Sequence, residues 1–357
     1  MTAPARVTFQ PASPFHADVK SRVDAYFIST NRSSRGGWRL ALESAAVVGW
    51  FLASYLLLVL GHPNGWQAPL LAVSLGLAWA GVGFVVMHDA NHGSSAKRPA
   101  WNRLFAFSAD LIGGAGVVWR QKHNILHHTF TNVLGHDSDL ETGTLLRLAP
   151  GQPRRRRHRF QHLYAWGLYL VFPLRWFLFD DFRDVLTGRI GGQPFQRPRG
   201  GALAVFVAGK VLFFGWAVVL PLALHPTPWF IPIALLTIGT LGVTLATVFQ
   251  LAHAVGEADF VEPAGERLVT DWATHQVATT VDFARGSRLA AWYLGGLNFQ
   301  VVHHLFPRVS HVHYRALAPL VEQACRDHGV RYRAWPTVSA ALGAHFRWLE
   351  LMGQPAR

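Results

Sequence analysis

The sequence predicts an all-α integral membrane protein, with four transmembrane helices in two hairpins and a cytoplasmic helical cap that holds a metal site. Three observations lead there. Half of the 357 residues are hydrophobic and only 15% are charged, against about a quarter in soluble domains. Four apolar runs each come close to the roughly 20 residues that cross a bilayer core. Histidines cluster at or just beyond the ends of those runs.

Composition narrows the chemistry. The single cysteine, Cys325, excludes an internal disulfide framework, a Cys-ligated iron–sulfur centre and a Cys-rich zinc site. The net charge of +13 is carried almost wholly by Arg, because Lys occurs only at Lys20, Lys97, Lys122 and Lys210. Such a balance suits an anionic membrane face or a phosphate-bearing substrate, and no nucleic-acid partner is expected.

Residues 1–39 are polar and mixed, with no secretory signal, and read as a mobile cytoplasmic arm. Apolar runs at about 40–60 and 66–87 are joined by Gly61-His62-Pro63-Asn64-Gly65, a turn composition that makes them a hairpin. Runs at about 203–224 and 229–251, joined by His225-Pro226-Thr227-Pro228, make the second. Neither connector carries Lys or Arg, whereas the arm has Arg6, Lys20, Arg22, Arg32, Arg35 and Arg39. The positive-inside tendency therefore puts the connectors outside, and both termini and the histidine clusters in the cytoplasm. Glu43 and Lys210, near cytoplasmic ends of their runs, read as snorkelling side chains.

Between the hairpins, residues 101–119 are apolar but contain Arg103, Asp110 and Gly113-Gly114-Ala115-Gly116, so they read as a surface-lying or partly inserted segment. Residues 160–180 and 290–306 have the aromatic and basic character of helices in the interface. The tract Arg154-Arg155-Arg156-Arg157-His158-Arg159 reads as a lipid-surface face in preference to a substrate-phosphate site.

The histidines carry the chemistry. In His88-Asp89-Ala90-Asn91-His92 the two rings are four residues apart and share a helix face. In His123-Asn124-Ile125-Leu126-His127-His128, His123 and His127 share a face while His128 is turned by about 100° from its neighbour. Gln300-Val301-Val302-His303-His304 puts Gln300 on the side of the pair, and His253 lies two residues past the last run. Each cluster alone is weak, but together they supply neutral donors suited to iron, zinc or copper. Eight imidazoles exceed what one ion accepts, so two metals are the natural count. The Glu-x-x-His pairs of di-iron carboxylate bundles and the His-Glu-x-x-His of zinc proteases are both absent. A carboxylate-poor, histidine-rich two-metal site beside apolar helices suggests oxygen chemistry on a hydrocarbon.

His88 to His92, His123 to His128 and Gln300 to His304, followed by Leu305-Phe306-Pro307, resemble the three histidine boxes of the membrane fatty acid desaturases. The resemblance runs from the first span to about Tyr314, which makes residues 40–320 the desaturase domain and 321–357 a cytoplasmic C-terminal segment. It implies a four-span protein with a cytoplasmic di-iron centre. O2 is then the co-substrate, and two electrons are used in placing a cis double bond in an acyl chain. It also implies that His88, His92, His123, His127, His128, His253, His303 and His304 ligate two iron ions. Gln300, where a His is commoner, resembles the front-end branch, the delta-5/delta-6 and linoleoyl-CoA desaturase-like enzymes. These place a double bond between an existing one and the carboxyl end. Trp272-Ala273-Thr274-His275-Gln276 and Asn298-Phe299-Gln300 add to that likeness. Gln300 either reaches iron through its oxygen or hydrogen-bonds a metal-bound water.

The arm is too short for a fused cytochrome b5 domain. An external electron donor, such as ferredoxin or cytochrome b5 with its reductase, is therefore expected at the Arg-rich face. The acyl group is carried by coenzyme A, a lipid or a carrier protein. Asp89, Asn91, Asn124, Asn132, Asp137 and Asp139 are candidates for the hydrogen bonds that ligating histidines need at their second ring nitrogen. His136, His275, His311 and His313 are weaker candidates for either role, and Trp119, Arg120 and Lys122 either meet an acyl headgroup or anchor the interface. A di-iron hydroxylase or ketolase is the alternative reading. A metal transporter or haem electron carrier is more distant, because its ligands belong at mid-membrane and not at span ends.

Overall fold

The computed structural model describes residues 7–61, 63–226 and 228–355, so that Arg6, His62 and Thr227 lie outside the described residues. The chain is mostly helical, and four helices are long and apolar enough to cross a membrane: Gly37–Val59, Gln67–Asn91, Gly201–Leu224 and Phe230–His253. Each contains most of one expected run. The second and fourth outlast their apolar stretches and carry helix into the first box and to His253. The first and third long helices leave much of their apolar surface exposed, with Leu56, Leu57, Val211 and Val219 pointing outward, as helices bathed in lipid do.

The second long helix packs between the first and the fourth. Small residues set these approaches. A side chain at Gly76 would stand 2.6 Å from the Thr237 carbonyl, and Gly239 and Gly242 admit Leu170, Tyr169 and Pro173. Those three belong to the helix Gln161–Arg175, which lies along the fourth long helix. The third packs on the short helix Ser108–Leu111, where Gly209 meets Asp110. The extensive contacts of the fourth long helix are therefore with the second and with Gln161–Arg175.

Three expectations are corrected. The described part of the N-terminal arm is docked on the fold: Phe15, Val19 and Val23 form a stripe that buries the helix Pro14–Ser29 against Tyr314–Asp327, and Thr8–Gln10 pairs in parallel with Arg267–Asp271. Residues 294–305 are buried, not interfacial. Gly295, at φ +54°, lets the chain turn against the Phe84 carbonyl, where a Cβ would clash, and so brings the third box inward. Glu43 and Lys210 do not snorkel, because each finds a partner inside. The Glu43 carboxylate accepts from His311 Nε2 at 2.9 Å, and Lys210 Nζ lies 2.7 Å from Asp181 Oδ2.

Candidate metal centre

Two helical segments lead into the first and second boxes, and both widen to hydrogen bonds five residues apart, over Val82–Met87 and Arg120–His127. Such π-type turns frequently mark functional sites. Their effect at the second box departs from the expected geometry. With the wider turn His128 comes back beneath His123, and the two Nε2 atoms lie 3.2 Å apart. The third box sits on the short helix Gln300–Leu305, whose start is fixed by the Asp282 carboxylate accepting the Val301 N–H at 2.9 Å. Ring centroids of His303 and His88 are then 4.5 Å apart, and those of His304 and His253 are 4.8 Å apart.

All eight histidines singled out from the sequence meet here. His88, His92, His123 and His303 offer nitrogen atoms within 4.8 Å of one another, as do His127, His253 and His304, while His128 with His303 and His304 bridges the two groups. Gln300 is buried in the same turn as His303 and His304, and its Oε1 finds no hydrogen-bond partner among the described residues. His136, His275, His311 and His313 belong to none of these groups.

Four rings are held from behind at Nδ1. The Nδ1–H of His127 donates to Asp137 at 3.1 Å, that of His304 to Gln276 Oε1 at 2.9 Å, and that of His253 to the Thr279 carbonyl at 3.3 Å. His303 Nδ1 lies 3.1 Å from the Tyr314 hydroxyl. The first three contacts, each to a pure acceptor, fix the tautomer that leaves Nε2 free for the cluster, and the Tyr314 hydroxyl orients the fourth ring. Of the expected partners, only Asp137 takes this role. Asp139 pairs with Lys122 at 3.3 Å and stands 3.6 Å from His127 Nδ1. Asp89 accepts from Ser310 Oγ at 2.7 Å and from the His311 backbone N–H at 3.3 Å, and its carboxylate stands 3.1 Å from the His311 ring. Asn91, Asn124 and Asn132 tie down backbone: Asn124 donates to the Asn91 carbonyl and Asn132 to the His253 carbonyl, at 2.9 and 3.0 Å. Gln276, Thr279 and Tyr314 were not foreseen as partners. Of these, only Gln276 stood in a motif noticed in the sequence.

The residues fit a metal centre. Both nitrogens of His88, Nε2 of His92 and His303, and Nδ1 of His128 are buried with no hydrogen-bond partner among the described residues. Leaving a buried polar group unpaired costs roughly 1–3 kcal/mol, and a bound cation would satisfy one nitrogen of each ring. Burial and the neighbouring imidazoles hold His92, His123, His128, His303 and His304 well below the usual imidazole range, so these rings are neutral donors at pH 7. At His127 burial also pulls downward, but the carboxylates of Asp137 and Asp139 outweigh it.

Two expected results follow. Gln276→Leu takes the acceptor from His304 and is expected to weaken metal retention about 10- to 100-fold in chelator competition; wild-type retention would contradict the orienting role. Burial brings His275 and His345 down to about 4, below about 6.5 for an unfolded imidazole. The unfolded chain then binds more protons, so stability is expected to fall as pH drops from about 6.5 toward 4. Thermal unfolding scans across that window check it, and a flat profile refutes it.

Beside His88 a narrow apolar cavity lies between the second and fourth long helices, lined among others by Trp79, Gly83, Trp176, Phe177 and Leu245. Trp79, packed on Phe177, Phe213 and Trp216, stands nine residues back along the helix from His88, or ~13 Å. A wider surface hollow lined by Phe15, Thr274, His328 and Arg333 contains none of the eight histidines.

Comparison with known proteins matches residues 64–336 to the family Fatty acid desaturase. The chain is 36% identical over 353 residues to the sn-1 linoleoyl-lipid 6-desaturase of Synechocystis sp., covering 98% of both chains. It is 34% identical over 348 residues to the sn-1 linoleoyl-lipid 6-desaturase of Arthrospira platensis, covering 97% of this chain and 95% of that one. It is also 36% identical over 343 residues to the acyl-lipid (8-3)-desaturase of Physcomitrium patens, covering 95% of this chain and 72% of that one.

Proposed function

This chain belongs to the fatty acid desaturase family, and from that premise we propose that it inserts a cis double bond of the front-end type into an acyl chain carried by a membrane lipid. Membership makes it a membrane-bound oxidoreductase acting on fatty acyl chains. The observation that carries the finer reading is the joining of eight imidazoles and a buried Gln300 to the head of an apolar cavity. The names of the relatives, which act on lipid-linked chains, favour a lipid-borne substrate over acyl-CoA.

His88, His92, His123, His127, His128, His253, His303 and His304 are the proposed ligands of two iron ions, with Gln300 beside them. Iron and O2, with two electrons, supply the oxidising power that removes two hydrogens from adjacent carbons. The chain does the rest. Gly83, Phe84 and Leu245 receive the acyl chain and exclude water, and Trp79 and Phe177 end the channel. Asp137, Gln276, Thr279 and Tyr314 hold the rings so that a carbon pair at His88 stays in register with the centre. The four long helices are read as spans with both termini and the site on the cytoplasmic side. Residues 40–320 are the catalytic domain, with an N-terminal segment 1–39 and a C-terminal segment 321–357. Electrons are assigned to an external ferredoxin or cytochrome b5 at the Arg-rich cytoplasmic face.

The test is to express the chain in a host that makes no polyunsaturated acids, feed defined unsaturated acids and locate the new bond by mass spectrometry. A bond between the existing one and the carboxyl end is expected. A bond on the methyl side would overturn the front-end assignment, and an added oxygen would favour the hydroxylase or ketolase reading. The channel has its own test. A Cβ at Gly83 would have only Leu245 and Ile112 near it, at 3.8 and 3.9 Å, so Gly83→Leu is expected to fill the cavity without disturbing the backbone. Turnover of the longest accepted chain should fall about 10-fold or more relative to shorter ones. An unchanged chain-length profile would remove the cavity from the substrate path.

A further inference from the structure

The helix Gln161–Arg175 enters the fold at a depth that can be read from its neighbours. Leu170 packs on Gly239 and Tyr169 on Gly242, near the middle of the long helix Phe230–His253. Eleven residues separate Leu170 from Arg159, or ~16 Å of helix. Half of a bilayer core is about 15 Å. If Gly239 and Gly242 lie at mid-membrane, Arg159 and the basic turn before it stand at headgroup depth, with Phe160 and Leu163, 54% and 59% exposed, just beneath.

The turn is tied down by hydrogen bonds, yet three of its guanidiniums keep their charge without an acidic partner among the described residues, that of Arg159 lying over the Phe160 ring. Arg154 Nε donates to the Gly353 carbonyl at 2.7 Å and Arg157 Nε to the Thr144 carbonyl at 2.8 Å, while the His158 side chain is buried below them. Arg155, Arg156 and Arg159 are exposed and make no ion pair with Asp or Glu among the described residues. Three guanidiniums on a fixed turn suit phosphate oxygens, which Arg grips with two parallel N–H donors where Lys offers a point charge.

We propose that Arg155, Arg156 and Arg159 bind anionic phospholipid headgroups and so set the insertion depth of the helical segment that lines the acyl cavity through Trp176 and Phe177. This rests on the membrane reading given under Proposed function and adds a lipid class and a site to it. An anionic lipid seated there is a structural ligand, separate from the acyl substrate.

The test uses the full-length, metal-loaded protein in nanodiscs of phosphatidylcholine mixed equally with phosphatidylglycerol. Lipids retained after detergent extraction are counted by native mass spectrometry, for wild type and for Arg155→Gln/Arg156→Gln/Arg159→Gln. Wild type is expected to retain phosphatidylglycerol over phosphatidylcholine, and the variant to lose that preference by on the order of 10-fold with bound metal and helix content unchanged. Equal retention of both lipids by wild type, or an undiminished preference in the variant, overturns the proposal. So does full displacement of the lipid by inorganic phosphate, which marks a free-anion site. A variant that keeps its lipids but needs more electron donor marks a protein-docking face and also overturns it. A spin label at Leu163→Cys, in a Cys325→Ser background, separates the two layers of argument. A label exposed to water sinks the membrane placement itself, whereas a label in lipid with unchanged retention sinks only the headgroup assignment.

Discussion

His303→Ala is expected to abolish desaturation, by at least about 100-fold, and to lower bound iron while leaving membrane insertion intact. The size of the effect follows from position. His303 is shared: its nitrogens lie with those of His88, His92 and His123 on one side and with those of His128 and His304 on the other. Removing it takes a donor from both groups at once and leaves the Tyr314 hydroxyl without the ring it meets. His127→Ala should behave similarly for a different reason, because it leaves Asp137 buried without its ring partner and removes one of three donors around His253 and His304. The checks are iron per chain by elemental analysis, turnover with a saturating electron donor, and extraction from membranes. A purified His303→Ala protein with full iron and full activity would falsify the ligand assignment.

What was legible in the sequence is what the solvent or the helix repeat imposes. Lipid demands uninterrupted apolar length, so Gly37–Val59 and its three counterparts could be read to within a few residues. Spacing of four along a helix brings His88 and His92 together, with ring centroids 4.7 Å apart. Two kinds of information were hidden. The first is helix width: a spacing rule written for 3.6 residues per turn turns His128 away from His123, and the widened turn over Arg120–His127 brings it back. The second is long-range pairing. Gln276 meets His304 across 28 residues and Thr279 meets His253 across 26; the motif around Gln276 drew notice without naming its partner, and no local pattern marks Thr279. Residues 290–306 misled for a related reason, since aromatic composition reports what a segment tolerates, while Gly295 against Phe84 decides where it goes.

Lys210 is the sharpest case of a hidden partner. A lysine near the end of an apolar helix is by default one that reaches for water. Here it is 4% exposed, and its ammonium donates to Asp181 at 2.7 Å and to the Gly113 carbonyl at 2.7 Å. Asp181 also accepts from the indole of Trp176, a wall of the apolar cavity beside His88, at 3.1 Å. Taking two ions out of water is expensive, and their attraction repays it only while both are present. Lys210→Met is therefore expected to destabilise the protein by about 3–5 kcal/mol, since it strands the Asp181 carboxylate. The unfolding temperature should fall by about 4–7 °C, and the cavity wall at Trp176 should loosen with it. Replacing both partners, as Lys210→Met with Asp181→Leu, removes the stranded charge and is expected to recover most of the loss. Thermal unfolding of the metal-loaded proteins in one detergent measures both. A single variant as stable as wild type would return Lys210 to the water-facing role, and a double variant no better than the single would show that the pair's value lies in its hydrogen bonds to Gly113 and Trp176 and not in its opposed charges.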